Sequence, residues 1–240
     1  MVFLRPIKKD KMSKKKQANN NEEVFEQVEQ SLNRVEQFIE DNSQNLLYAL
    51  GGIAAIIVGF WSYNTYVAEP AEKEAENAAF MAQVYFEQDS MKLALDGNIN
   101  HMGFLEIADE YSGTEMGNLA HYYAGMAYLK MAQYENAIGE LDKYSSIDEI
   151  FGALSKAAIG DCFNELNQPK EALDYYKKAL SIGKNDLVTP AVLKKAALTA
   201  QMLEKYADAA KYWNQLATEY SKKPEAADAA KYAAMAESAK

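Results

Sequence analysis

Leu46 to Val67 reads LLYALGGIAAIIVGFWSYNTYV, 22 consecutive residues without Asp, Glu, Lys, Arg, His or Pro. A helix of that length reaches about 33 Å, enough to cross a hydrocarbon layer about 30 Å thick. Tyr48 near one end and Trp61, Tyr63 and Tyr66 near the other stand where aromatic side chains meet lipid headgroups. The segment starts after 45 residues and leaves through Tyr66, Val67 and Ala68, with no small residue at the −3 place of a cleavage site. It therefore reads as a retained anchor, residues 46–67, and not as a cleaved leader. A buried helix of a soluble protein is the competing interpretation.

Lys and Arg orient such a span, because basic residues are retained on the cytoplasmic side. Eight of them precede it, and Lys73 alone lies in the twenty residues after it. The N-terminus is thus expected in the cytoplasm and residues 68–240 in the periplasm, with the chain crossing a bacterial inner membrane once. Residues 1–21 hold seven basic residues against Asp10 and read as a basic, disordered tail that touches headgroups of the lipid bilayer. Met12, opening the run Met-Ser-Lys-Lys-Lys, is an alternative start.

Residues 22–45 reverse that charge, with Arg34 against seven acids. Phe25, Val28, Leu32, Val35 and Ile39 follow steps of three and four, the seam of an amphipathic helix that docks on another helix. Acids on the opposite face do not suit an anionic lipid surface, so the stripe points to a partner helix or a second copy. A helix that only prolongs the anchor fits the same residues. Inside the span, Gly51, Ala55 and Gly59 recur every four residues and open one face to close helix approach, a pattern that also arises by chance.

The remaining chain has few helix breakers: the whole sequence contains 5 Pro and 12 Gly. HYYAGMAYLKMAQYENAIGELDKY, KAAIGDCFNELNQPKEALDYYKKAL and LKKAALTAQMLEKYADAAKYWNQLA superpose when Ala137, Ala172 and Ala209 are aligned, at separations of 35 and 37. Gly125, Gly160 and Ala197 then coincide, as do Leu141, Tyr176 and Trp213. Small residues at a helix crossing and large ones in the seam are what two antiparallel helices need to pack closely. The pattern resembles the tetratricopeptide repeat, a 34-residue helix–turn–helix unit. The expected fold is all-α: one N-terminal transmembrane helix, then an elongated right-handed tetratricopeptide-repeat superhelix. Residues 69–112 read as a divergent first pair, and 225–239 as a helix capping the last seam.

Chemistry is scarce. One cysteine excludes an intramolecular disulfide framework and Cys-based metal sites, and the net charge of −10 argues against nucleic-acid binding. Cys162 reads as a small core residue. His101 and His121 have no second ligand at helical spacing, so no metal, no cofactor and no enzyme are expected. What repeat arrays offer is a groove lined by their first helices. In the tetratricopeptide pattern its places fall on Tyr122, Met126, Leu129 and Lys130, then Ala157, Asp161, Asn164 and Glu165, then Lys194, Leu198, Gln201 and Met202. The Lys/Asn clamp with which related repeats hold C-terminal carboxylates has no counterpart, because Tyr122, Met126, Ala157 and Asp161 occupy its places. Extended apolar polypeptide suits the groove better, unless these side chains pack within the superhelix.

The run GFLEIADEYSGTEMGNLAHYYAGMAYL, Gly103–Leu129, joined to an anchor and a basic tail, is similar to the YfgM-like ancillary subunits of the SecYEG translocon. That resemblance covers about residues 22–240. It implies a non-enzymatic subunit beside the SecYEG channel subunits, paired with a membrane-bound periplasmic isomerase-type chaperone (PpiD-like) and meeting unfolded exported polypeptides. A periplasmic scaffold for envelope assembly or cell division is the alternative.

Overall fold

The structure is a computed structural model that describes residues 32–146 and 148–239. The basic tail and the stripe residues Phe25 and Val28 lie outside the described residues. Among those described, the chain is helical, and the extended pairing is one isolated bridge between Asn98 and His101. Contacts divide the chain into residues 1–64 and 65–240.

In the first unit, residues 32–41 are helical and α1 occupies Ser43–Tyr63. Leu32, Val35 and Ile39 are exposed at spacings that place them on one side with Phe38. No residue of α1 is buried, and Leu47, Ile53, Ile56, Ile57 and Phe60 project apolar surface in every direction around it. Space beside Gly51 and Gly59 is open and Ala55 is exposed. The helical run Ser43–Glu87 is the one among the described residues long and apolar enough to cross a membrane, by length and composition.

The second unit is a chain of helical hairpins. α2 (Glu69–Glu87) turns into α3 (Met91–Asp96), and α4 (Phe104–Glu110) joins that pair to the next hairpin. The hairpins α5/α6 (Glu115–Lys130, Tyr134–Lys143), α7/α8 (Glu149–Glu165, Pro169–Ile182) and α9/α10 (Thr189–Met202, Tyr206–Glu219) then stack in chain order. A short 3₁₀ turn at Pro224–Ala226 leads to α11 (Ala229–Ser238), which lays Ala229, Ala233 and Ala236 on the last hairpin. Tyr232 of α11 stacks on Trp213, with ring centroids 5.0 Å apart.

The aligned small and large residues meet inside each hairpin. A Cβ on Gly125 would stand 2.5 Å from Leu141 Cγ, and one on Gly160 would stand 2.6 Å from Tyr176 Cε1. Ala197 and Trp213, the third pair in the alignment, are both buried. Each large seam residue removes enough apolar surface from water to contribute about 1.5–3 kcal/mol.

The turns repeat as closely as the seams. Asp89, Ala132, Asn167 and Glu204 are non-glycine residues in the left-handed region, with φ between 57° and 59°. At Ala132, for example, its N–H donates to Leu129 O at 3.0 Å and the Gln133 N–H donates to Tyr128 O at 2.9 Å. The same two bonds recur at the other three turns, so all four helices end in a Schellman closure, where glycine is the usual choice. The last three turns keep the spacing of the aligned alanines. Asp89 extends the pattern to α2/α3, so Met91–Asp96 is the second helix of the divergent first pair.

The run Gly103–Leu129 has architectural work. Thr114 caps α5 by accepting from the Gly117 N–H at 2.9 Å, and Glu72 of α2 accepts from the Glu115 and Met116 N–H groups, each at 2.7 Å. These carboxylate and hydroxyl oxygens satisfy the free donors of a helix start. Gly117 passes against the Tyr111 carbonyl with no room for a side chain, and Asn118 clasps the backbone of Ser145 in both directions, at 2.7 and 2.8 Å.

A melting series followed by circular dichroism tests the seam and the turns together. Gly160→Leu is expected to lower the midpoint by several degrees, since overpacking costs about 1–3 kcal/mol and each kcal/mol moves a domain of this size by about 2–4 °C. Glu204→Gly is expected to raise it by relieving left-handed strain of about 1–2 kcal/mol, while Asn167→Gly changes little because Asn tolerates that conformation. An unchanged midpoint for Gly160→Leu would mean that the crossing lies elsewhere.

Candidate functional site

The first helices of the three full hairpins, α5, α7 and α9, line a cleft of about 550 Å³. Its floor is built by Tyr176, which crosses from α8 beside Gly160 and brings its hydroxyl into the cleft. That hydroxyl donates to Asp161 Oδ1 at 2.8 Å, and Asp161 Oδ2 accepts from Lys195 Nζ at 2.6 Å. Since Tyr176 gives its proton to Asp161, Asn164 must offer its amide nitrogen, which donates to Tyr176 Oη and Thr199 Oγ1, each at 3.0 Å. The amide oxygen of Asn164 is then left buried, with no partner among the described residues. Burial, and next the Asp161 carboxylate, push the Tyr176 phenol well above its ordinary value, so it stays a neutral donor.

Above this floor the cleft is apolar and open. Leu198 and Met202 of α9 are 45% and 65% exposed, and Leu129 of α5 faces them partly buried. Glu165 stands at the edge, where Tyr134 Oη donates to it over a long 3.4 Å.

Leu129, Asp161, Asn164, Glu165, Leu198 and Met202 are thus brought together. The other groove positions read from the sequence fall elsewhere. Tyr122 is corrected: it is only 7% exposed and sits in the core against Tyr144 and Phe151, with centroids 5.7 and 5.0 Å away. Met126 packs on that same cluster. Lys130 turns away to pair with Asp89 at 3.1 Å and to cap the Phe86 ring. Gln201 accepts from the Trp213 indole at 3.3 Å, and Lys194 is exposed outside the cleft lining. Four lining residues went unread: Tyr134, Tyr176, Lys195 and Thr199. Tyr176 had a signal, because a tyrosine in a seam needs a partner for its hydroxyl.

Other reactive groups are engaged in structure. Cys162 is fully buried, and burial followed by the nearby Asp161 pushes its thiol up to about 12. His121 Nδ1 lies 2.7 Å from Glu140 Oε2, and Lys143 donates to Glu140 Oε1 at 2.8 Å. Among the described residues no group of three or more His, Cys, Asp or Glu could hold a metal ion.

Glu140 makes stability depend on pH. Burial alone would raise its carboxyl, but hydrogen bonds from Lys143 and His121 outweigh burial and hold it below the usual carboxylate range. A lowered folded value gives stability that is complete above the unfolded value near about 4.3 and is lost as pH falls through the folded one. The melting gap between wild type and Glu140→Gln is therefore expected to be widest at neutral pH and to close on acidification. A gap that stays constant would contradict this.

No family model matches the chain. Over 86 residues it is 34% identical to tetratricopeptide repeat protein 29 of Macaca fascicularis, and equally to that of Homo sapiens, a stretch that is 34% of this chain and 18% of either relative. The match thus spans less than a fifth of those proteins' length. Together with the stacked hairpins it fits a tetratricopeptide-repeat protein, a helical fold that generally serves as a non-enzymatic scaffold for protein binding.

Proposed function

We propose that the chain is a membrane-anchored protein-interaction subunit that assists export through the Sec translocon. In this reading α1 holds it in the bacterial inner membrane, with its N-terminus cytoplasmic and its hairpins in the periplasm. There the hairpins link SecYEG channel subunits to a membrane-bound isomerase-type chaperone and to emerging unfolded polypeptides. The observation that carries it is the cleft of α5, α7 and α9: Leu198 and Met202 leave apolar surface uncovered beside polar groups fixed by a braced floor, as a site for extended polypeptide requires. The unburied apolar surface all round α1 supports the anchor. The resemblance of Gly103–Leu129 to translocon subunits supports the place of work.

Two weak tethered contacts act as one strong contact, often gaining about a hundredfold or more through effective concentration. Docking on the channel is therefore assigned to the span face Gly51–Ala55–Gly59 and to the stripe Phe25–Val28–Leu32–Val35–Ile39, and client capture to the cleft.

Cysteine labelling and co-purification test this reading together. A cysteine at Glu225 is expected to react with a membrane-impermeant reagent once the outer membrane is opened, and one at Ser13 only after the inner membrane is broken. Gly51→Ile with Gly59→Ile, or Leu32→Asp with Val35→Asp, should reduce recovery of channel subunits while the hairpins stay folded. Reversed labelling, or recovery of cell-wall synthases in place of the channel, would overturn it.

A further inference from the structure

We propose that the cleft selects polypeptide segments that carry an arginine or lysine beside apolar residues, with the cation seated against Glu165. This rests on the peptide-binding reading above and adds the chemistry of what is bound.

Charge favours a cation. Two carboxylates and one ammonium line the cleft. Asp161 is matched: Lys195 sits 2.6 Å from one of its oxygens and Tyr176 donates to the other at 2.8 Å. Glu165 has only the long Tyr134 contact of 3.4 Å among the described residues. One negative charge is therefore left at an apolar edge, and a like-charged ligand would be repelled there. Lys195 is held by Asp161, so among the described lining residues no free cation is left to receive a peptide carboxylate.

Hydrogen bonding favours a donor. Asn164 offers a ligand no acceptor, because its amide oxygen is buried and its nitrogen is held by Tyr176 and Thr199. Glu165 on α7 is the acceptor left open to the cleft, since its carboxylate has only the long Tyr134 contact among the described residues. A guanidinium, with five N–H donors and no acceptor, is the side chain that complements a carboxylate most fully, and an ammonium with three donors comes next.

The wall suits a long stem. A long basic side chain needs apolar surface for its methylenes and benefits from an aromatic ring near its charge. Leu129, Leu198 and Met202 offer the first and Tyr134 the second. The cleft volume of about 550 Å³ lies within the range of sites that enclose a ligand of several groups.

Fluorescence anisotropy on the full chain in lipid nanodiscs tests this directly. The probes are labelled dodecapeptides of leucine and alanine with a central arginine, and the same peptide with citrulline, norleucine or glutamate at the centre. The arginine peptide is expected to bind roughly tenfold tighter than the citrulline and norleucine peptides, a preference that declines with salt. Glu165→Gln should reduce that preference to less than about twofold and leave the norleucine peptide unchanged, with the melting midpoint preserved because Glu165 is exposed. Leu198→Ser with Met202→Ser should weaken every peptide alike. If peptides bind and the α9 variant weakens them, yet arginine gives no advantage or keeps it in Glu165→Gln, the cation site is wrong and the groove stands. If no peptide binds the wild type, the peptide-binding reading fails and this inference fails with it.

Discussion

A small residue in one helix faced by a large one in the next is the contact on which the second unit depends. Gly160 lets α7 and α8 approach until Tyr176 lies against bare backbone, and Gly125 does the same for Leu141. The consequence reaches past stability. Because Tyr176 is pressed into the crossing, its ring spans the hairpin and its hydroxyl emerges on the cleft side, where it sets the directions of Asp161 and Asn164. The packing that holds the hairpin therefore also orients the groups that face a ligand. A phenylalanine would fill the seam as well and leave the cleft without its floor.

The turns show how strongly that packing governs the backbone. Ala132 and Glu204 have side chains disfavoured in the left-handed region, yet they adopt it with the same two hydrogen bonds as Asn167. Local preference alone would place glycine there. The burial gained when each pair of helices closes exceeds the strain of about 1–2 kcal/mol at Ala132 and Glu204, so the turn follows the seam. The first pair obeys the same logic through Asp89, and it is fastened to α5 by Glu72 on a helix start, a tie between groups more than forty residues apart.

Much of this was legible in the sequence. The helical class, the register of the hairpins and the residues of each crossing followed from spacing, because the same steric demand recurs at Ala137, Ala172 and Ala209. The apolar run inside Ser43–Glu87 was equally plain. The cleft was legible only in part. Asp161, Asn164, Glu165, Leu198 and Met202 sit where a repeat pattern puts them, since they occupy the middle hairpins with neighbours on both sides. Tyr122 and Met126 lie under the next hairpin, where Tyr144 just after α6 and Phe151 of α7 cover positions that are open further along. Lys195 was missed because its role is set by a charge in the preceding hairpin, Asp161, which no single repeat reveals.

The central claim is that a membrane-anchored array meets exported polypeptides through the cleft of α5, α7 and α9. A photoreactive residue placed at Leu198 in cells, compared with one at Lys178 on the exposed side of α8, tests it most directly. The account predicts crosslinks to newly exported polypeptides from Leu198 that are absent or far weaker from Lys178. Equal crosslinking from both positions, or crosslinking from Lys178 alone, would contradict it.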